Sequence, residues 1–120
     1  MDSGLNKGTY PKMYLYKRVV HAKLFIDQNY QDSIDLTNIA DEAYFSKFHF
    51  IRLFKKIYGK SPNQYLQYVR IENAVKLLKM KKPVIDVCHG VGFESLSTFS
   101  GLFKKITGTN PTEYKKSLAT

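Results

Sequence analysis

The chain has 120 residues, a formal net charge of +9 and a hydrophobic content of 43%. This length suits one compact domain or two small lobes, and it leaves no room for a separate substrate-binding domain. The apolar content excludes a disordered chain. No apolar run approaches the ~20 residues that cross a bilayer, and the N-terminus lacks the apolar core of a signal peptide, so we expect a cytoplasmic protein without a membrane partner.

The positive charge is concentrated in the middle of the sequence. Between Ala43 and Ile85 there are ten basic residues and a single acid, Glu72, while the nine basic and nine acidic residues elsewhere cancel. A basic segment of this kind makes a polyanion the first partner to consider.

Helical periodicity runs through most of the sequence and predicts about seven helices in an all-α fold. After a flexible leader over residues 1–11, the first helix is predicted from Lys12 to Asn29, with apolar residues at helical spacing: Leu15, Val19, Ala22 and Ile26. Asp35 is predicted to cap a short second helix, which contains Leu36, Ile39 and Ala40.

The middle of the chain carries clear start and stop residues for the next helices. Ser46 is predicted to cap a third helix over Lys47–Tyr58, which Gly59 ends. Pro62 then opens a longer helix that reaches about Met80, since proline is favoured in the first helical turn. A second proline, Pro83, begins the next short helix.

The most informative feature is an internal repeat. Residues Ser46–Tyr65 recur as Ser95–Tyr114 at a constant offset of 49, with ten identical positions in twenty. In the first copy these are Ser46, Phe50, Leu53, Phe54, Lys55, Lys56, Ile57, Gly59, Pro62 and Tyr65. Each copy follows the order short helix, tight turn, longer helix, glycine and proline, which is the pattern of a helix-turn-helix unit.

The longer helix of the first copy divides into two faces. At about 100° per residue, one side collects the predicted core residues Phe50, Leu53, Phe54 and Ile57. The opposite side carries apolar residues and cations, which suit base methyl groups, guanine and phosphate in a major groove. We predict DNA contacts by Lys47, Phe48, Ile51, Arg52, Lys55 and Lys56; a solvated charged face is the alternative interpretation.

The longer helix of the second copy has a poorer outer face. Phe99, Leu102, Phe103 and Ile106 are predicted to point inward, and Ser97, Ser100, Gly101 and Lys104 outward. The stretch from Asp86 to Ile106 has no net charge, so the expected role of this helix is phosphate clamping with modest base discrimination. Lys104 and Lys105 repeat the paired cations of the first copy and are predicted to contact phosphates; complementing the helix dipole is the alternative.

The second copy also carries a longer signature: Val87-Cys88, Gly92-Phe93, Phe99, Phe103-Lys104-Lys105, Gly108, Pro111 and Tyr114. The long helix before it contains Arg70-Ile71, Ala74 and Leu77-Leu78. In these residues the chain, from about Tyr14 to Tyr114, resembles the DNA-binding domain of the AraC/XylS family of bacterial transcription regulators.

This resemblance implies a single homeodomain-like domain over residues 1–120. Two helix-turn-helix subdomains, at 12–61 and 83–120, are joined by a linker helix at 62–82. It implies a monomeric activator that inserts both recognition helices into successive major grooves of double-stranded DNA, with RNA polymerase as an open second partner. The family's base-contact positions fall on Phe48, Ile51 and Arg52, and on Leu96, Ser97, Thr98 and Gly101.

Three positions depart from the family pattern. Gly101 stands where Arg is common, and Leu96 stands where a polar residue, often Gln, is usual, so we expect the second lobe to read less sequence than the first. Cys88 replaces the usual Ala and is interpreted as a core residue. Many family members add a ligand-binding, dimerisation or receiver domain; the initial Met and the leader favour a small stand-alone regulator over a fragment.

Other classes of function were weighed against DNA reading. One DNA-repair methyltransferase couples this kind of domain to a cysteine acceptor held by zinc, which requires several thiolates. With one cysteine and three scattered histidines, His21, His49 and His89, the sequence predicts no catalytic, metal or cofactor site. A non-specific or architectural nucleic-acid binder and a helical protein-interaction module stay open as alternatives.

Overall fold

A computed structural model describes residues 3–34, 36 and 47–118, with side chains from Met13 onward. The described residues contain helices and no strand, which confirms the predicted all-α fold. In chain order the helices are α1 (Ser3–Asn29), α2 (Lys47–Tyr58), α3 (Pro62–Lys79), α4 (Val84–Gly90), α5 (Leu96–Thr107) and α6 (Pro111–Leu118). None of these helices is both long and apolar enough to span a membrane.

The helix bounds agree with the sequence in most places. α2 has the predicted bounds, α3 ends one residue before Met80, and α4 follows Pro83 directly. α1 differs, because it begins at Ser3 rather than Lys12. Residues 3–11 include two glycines and a proline, which are poor helix formers, so propensity and periodicity miss this first part of α1. Apart from Leu36, which is helical, the predicted second helix and its cap Asp35 lie outside the described residues, as does the cap Ser46.

The chain forms two compact units. Unit 1 consists of Met1–Gln28 with Ile34–Tyr65, and unit 2 consists of Asn29–Ser33 with Leu66–Thr120. The long helix α3 begins in unit 1, and most of its length belongs to unit 2.

The core of unit 1 comes from the faces that periodicity predicts. Val19, Ala22 and Ile26 of α1 are buried, as are Phe50 and Phe54 of α2. The ring of Phe54 also lies 4.9 Å from that of Tyr58 and 5.8 Å from that of Tyr65, measured between centroids. Such tilted and edge-to-face ring pairs add to the free energy gained by burial.

The core of unit 2 is built around the second copy of the repeat. Its buried residues are Ile71, Ala74, Leu78, Val87, Cys88, Val91, Phe93, Phe99 and Phe103, and the half-buried Tyr30 and Tyr114 pack against them. The predicted burial of Cys88 is confirmed.

The repeat in sequence is also a repeat in local geometry. Phe54 meets Tyr65, and Phe103 meets Tyr114, at the same centroid distance of 5.8 Å and the same interplanar angle of 62°. After each helix a glycine adopts positive φ, +78° at Gly59 and +92° at Gly108. Each of these glycines donates its backbone N–H over 2.8 Å to the carbonyl four residues earlier, which ends the helix in a left-handed cap.

Arg70 fastens separate segments of unit 2 together. Its Nε donates to the Tyr30 carbonyl over 2.7 Å, its Nη2 donates to the Asp32 carbonyl over 2.9 Å, and its guanidinium lies 5.6 Å from the ring centroid of Phe93. Arg70 is only 9% exposed, and this burial lowers its pKa. The guanidinium therefore satisfies two backbone carbonyls that follow α1.

Gly92 allows this close approach. Its φ is +105°, and a Cβ built on it would lie 2.9 Å from Arg70 Nε and 3.0 Å from the Tyr30 carbonyl oxygen. A side chain at this position would overlap both Arg70 Nε and the Tyr30 carbonyl oxygen and would disturb the hydrogen bond between them.

A second polar contact holds the start of α3 to α1 within unit 1. The Tyr65 hydroxyl donates to Asp27 Oδ1 over 2.5 Å, and Lys23 Nζ lies 2.7 Å from Asp27 Oδ2. The hydrogen bond to Asp27 raises the pKa of Lys23. Burial, with the hydrogen bond to Asp27, raises the pKa of Tyr65 to about 12.

We predict that Gly92→Ala lowers the free energy of unfolding by about 2–3 kcal/mol, because it forces a Cβ into a strained positive φ as well as into Arg70. Urea denaturation followed by circular dichroism measures this. Gly90→Ala is the matched control, since a Cβ there meets no heavy atom within 4 Å. Equal losses in the two variants would contradict the role given to Gly92.

We also predict a pH-dependent effect of Tyr65→Phe. The native state holds the Tyr65 proton more tightly, with a pKa of about 12 against about 10 for an ordinary tyrosine, so the stabilisation is present below about pH 10 and is lost as the pH rises towards 12. Near pH 8 the variant should be less stable by about 1.5 kcal/mol, the contribution of a hydrogen bond to a charged group. The difference from wild type should shrink at pH 11.

Chemical denaturation at the two pH values tests this expectation. Tyr58→Phe is the control, because Tyr58 belongs to the same ring cluster and the structure shows no hydrogen bond from its hydroxyl to a described residue. A Tyr65→Phe deficit that stays constant between pH 8 and pH 11 would count against the Asp27 contact.

Candidate nucleic-acid interface

The inner face of α2 is fixed by its phenylalanines. Phe50 and Phe54 are 1% and 0% exposed, and together with the glycine cap they prevent the helix from rotating about its axis. The orientation of the outer face is therefore set by the core of unit 1 rather than by any partner.

The outer face of α2 carries the predicted contact residues. Lys47, Phe48, Arg52, Lys55 and Lys56 are all exposed, and Phe48 reaches 77% exposure. Arg52 makes no ion pair or hydrogen bond with another described residue. A guanidinium one helical turn from an exposed aromatic ring can donate to a base edge or a phosphate while the ring packs on an apolar group.

Ile51 takes a different position from the one predicted. The sequence places it on the outward face, whereas in the structure it is half-buried and lines a cavity together with Phe50 and Pro62. The physical reason is its angle: one residue after the buried Phe50, Ile51 lies at the border between the two faces of α2.

α5 is positioned by the equivalent framework in unit 2. Phe99 and Phe103 are 0% exposed, and the Ser95 Oγ caps the helix by accepting the Thr98 backbone N–H over 3.3 Å. The backbone N–H groups of the first turn face outward beside the cap, which favours a negatively charged group.

The predicted contact residues of α5 are exposed as well. These are Leu96, Ser97, Thr98, Gly101, Lys104 and Lys105. A Cβ at Gly101 would meet no heavy atom within 4 Å, so packing within unit 2 does not require glycine there. The Arg that the family commonly carries at this position would fit on the α5 backbone.

Ile106 corrects another prediction for α5. It is 39% exposed rather than inward-facing. Ile106 points in nearly the same direction as Phe99, seven residues earlier, but it lies in the last turn of α5, where the helix ends at Thr107 and less of the core is available to cover it.

Cys88 does not lie on this exposed surface, and its surroundings disfavour the reactive thiolate. It is 0% exposed, its Sγ lies 3.9 Å from the Phe93 carbonyl oxygen, and burial raises the pKa of its thiol. A buried thiol with a raised pKa carries little of the thiolate that reacts or binds metal. Within the described part of the chain, no three His, Cys, Asp or Glu side chains gather as metal ligands would.

The sequence did not reveal what supports the two helices. In the sequence Arg70 is one of the ten basic residues between Ala43 and Ile85, and no local pattern singles out Asp27. The available clues were the place of Arg70 in the signature of the linker helix and the recurrence of Tyr65 as Tyr114. Their partners are 38 to 40 residues away in sequence, so only the fold identifies them.

Comparison with known proteins identifies the family to which the chain is similar. A family model described as a helix-turn-helix domain matches residues 39–117. The bifunctional transcriptional activator and DNA repair enzyme AdaA of Bacillus subtilis is 36% identical over 93 residues, which cover 77% of this chain and 44% of AdaA. The lactose operon transcription activator of Staphylococcus xylosus is 35% identical over 98 residues, which cover 81% of this chain and 35% of that protein.

A solved structure extends the likeness to three dimensions. The DNA-binding domain of the global transcriptional factor AdpA, crystallised with a target DNA, superposes with a TM-score of 0.76 at 26% identity, covering 82% of this chain and 90% of that one. This chain spans less than half the length of the two curated relatives named above. The matched family model covers most of the chain, and the chain therefore belongs to the AraC-type family of helix-turn-helix DNA-binding domains.

Proposed function

We propose that the chain is a sequence-specific DNA-binding transcription regulator that reads DNA chiefly through α2. The observation that carries this proposal is the outer face of α2, where Phe48 and Arg52 are exposed on a helix whose opposite face is locked into the core. A rigid helix with a free guanidinium and an exposed aromatic ring suits the floor of a major groove.

The charges on α2 have separate roles in this proposal. Arg52 makes a bidentate contact to guanine, and Phe48 packs on a thymine methyl group. Lys47, Lys55 and Lys56 contact backbone phosphates, which adds affinity and sets the register of the helix without reading sequence. Ile51, being half-buried, contributes at most the edge of its side chain.

α5 contributes mainly to positioning. Ser97 and Thr98 lie in its first turn, where short hydroxyls and backbone N–H groups reach a phosphate, and Lys104 and Lys105 add charge near its end. Leu96 is 44% exposed and can contact a thymine methyl group. Gly101 presents no side chain, so the base opposite it is read weakly.

The wider biology follows from this proposal and from the relatives. Both curated relatives named above are called activators, which supports activation as the mode of regulation. We further propose RNA polymerase as a second partner, a monomer as the binding species and a location in the bacterial cytoplasm. The repair activity in the name of AdaA is not carried over, because Cys88 is the only cysteine of the chain and is buried. Residues 12–61 and 83–120 remain the proposed reading lobes, joined by residues 62–82.

Selection of bound duplexes from a random DNA pool tests the proposal directly. A sequence-specific regulator should enrich one motif, and its affinity for that motif at physiological salt should exceed its affinity for random duplex by at least about 1,000-fold. Uniform affinity across the pool would instead support an architectural binder. No measurable affinity would support a protein-interaction module.

With the selected duplex, we predict that Arg52→Ala weakens binding more than Ser97→Ala. A specific base contact is worth about 1–3 kcal/mol, and Arg52→Ala also removes a positive charge from the interface. Ser97→Ala removes only a neutral hydroxyl, and the backbone N–H groups of the same turn can still contact the phosphate. Fluorescence anisotropy titrations measure both. Lys76→Gln is the control for a lost cation, since Lys76 is exposed on α3 and lies outside the proposed interface. Equal losses for Arg52→Ala and Ser97→Ala would rule out the proposed asymmetry.

We further predict that Phe48→Ala leaves the free energy of unfolding within about 0.5 kcal/mol of wild type, because the side chain is 77% exposed, yet weakens binding to the selected duplex. Phe50→Ala, on the buried face of the same helix, should instead cost about 3–5 kcal/mol of stability. Paired denaturation and anisotropy measurements separate the two effects. A Phe48→Ala variant with unchanged affinity would remove Phe48 from the interface.

A further inference from the structure

Unit 2 contains a groove to which α5 contributes no residue. It is a surface cavity of about 510 Å³ between the end of α3, the start of α4 and α6. Its apolar wall is formed by Leu78, Val84 and Leu118, and its charged wall by Lys81, Lys115 and Lys116. We call this cavity the basic groove. None of its lining residues is acidic.

Lys81 reaches the basic groove from a strained backbone position. Its φ is +64°, and among the described residues it is the only one other than glycine with a positive φ. The Lys81 N–H donates to the Leu78 carbonyl over 2.9 Å, and the Lys82 N–H donates to the Leu77 carbonyl over 3.3 Å. This is the cap at which glycine is usual, so a lysine here carries a conformational cost.

Lys115 fixes the opposite side of the basic groove. Its Nζ donates over 2.8 Å to the Lys82 carbonyl, which ties α6 to the turn that contains Lys81. Lys81 of the turn and Lys115 and Lys116 of α6 therefore line one cavity. Cations that line a cavity without acidic neighbours make its potential positive, which attracts an anion.

We infer that the basic groove binds a small organic anion with an apolar body, such as an aliphatic or aromatic carboxylate. The cavity volume falls in the range of about 300–1,000 Å³ that is usual for small-ligand sites, and apolar walls with a few polar groups are their usual composition. DNA phosphate would use the three lysines but leave the apolar wall without a partner. This inference does not depend on DNA recognition by α2.

The full 120-residue chain and three small probes test the inference. The apolar anion 1-anilinonaphthalene-8-sulfonate should bind with increased fluorescence, and decanoate should displace it. Decyltrimethylammonium, which has the same chain length and the opposite charge, should not displace it. Displacement by the cation as effectively as by decanoate would show that charge plays no part, and would overturn the inference.

Variants locate the binding of these probes. Leu118→Glu places a carboxylate on an exposed position of the apolar wall and should abolish decanoate binding. Lys116→Gln should weaken it by roughly threefold to fivefold, the range expected for one exposed ion pair. Lys76→Gln, which removes an exposed lysine outside the basic groove, should leave it unchanged. Unaltered binding in Leu118→Glu would place the probe elsewhere and overturn the inference.

Lys81→Gly separates a binding role from a structural role. Glycine suits a φ of +64°, so this variant should unfold at the same denaturant concentration as wild type or a higher one. Decanoate binding should nevertheless weaken by roughly threefold to fivefold. Unchanged binding would overturn the inference. Displacement of the fluorescent probe by duplex DNA or by an acidic peptide, but not by decanoate, would also overturn it and assign the lysines to a macromolecular partner.

Discussion

The buried guanidinium of Arg70 is the contact on which unit 2 depends. It bonds to the carbonyls of Tyr30 and Asp32 and lies against Phe93, and Gly92 provides the space for it. The Arg70 side chain extends from α3, donates to two backbone carbonyls that follow α1 and lies against Phe93 in the turn before α5. It therefore joins three parts of the chain that are far apart in the sequence. Lysine could not replace this geometry, since a single ammonium cannot present two donors in a fixed plane. The start of α5 thus depends on a residue that touches no part of its outer face.

The two copies of the repeat share residues that anchor each helix in its core but differ in the residues that each helix exposes. The ring contact between Phe54 and Tyr65 has the same distance and angle as that between Phe103 and Tyr114, so α2 and α5 share the aromatic contact that anchors each helix. The outer faces differ, because Phe48 and Arg52 have Ser97 and Gly101 as counterparts. An unchanged core can therefore carry a strong reading helix in one unit and a positioning helix in the other. In each unit, evolution can change outer residues at little cost in stability.

The sequence predicts those features of the structure that are determined by residues close together in the chain. The bounds of α2 and the burial of Phe50 and Phe99 follow from spacing, a glycine cap and a proline start. The half-burial of Ile51 and the exposure of Ile106 do not, because they depend on how much core covers the border and the last turn of a helix. The contacts of Arg70 and the basic groove could not be predicted for another reason. Each brings together segments that are far apart in the sequence, and Arg70 and Lys115 donate to backbone carbonyls, which the sequence does not distinguish.

The net charge of +9 is consequently a poor measure of the DNA interface. The basic segment that indicates a polyanion partner includes the exposed cations of α2. It also includes two cations with other places in the structure: Arg70 donates to backbone carbonyls, and Lys81 lines the basic groove. Counterion release depends only on cations that reach phosphates. In the proposed interface the cations of α2 and α5, rather than the total charge, set the electrostatic part of DNA affinity. Lys81, Lys115 and Lys116 line the basic groove instead, where the inferred ligand is also an anion but has a different shape.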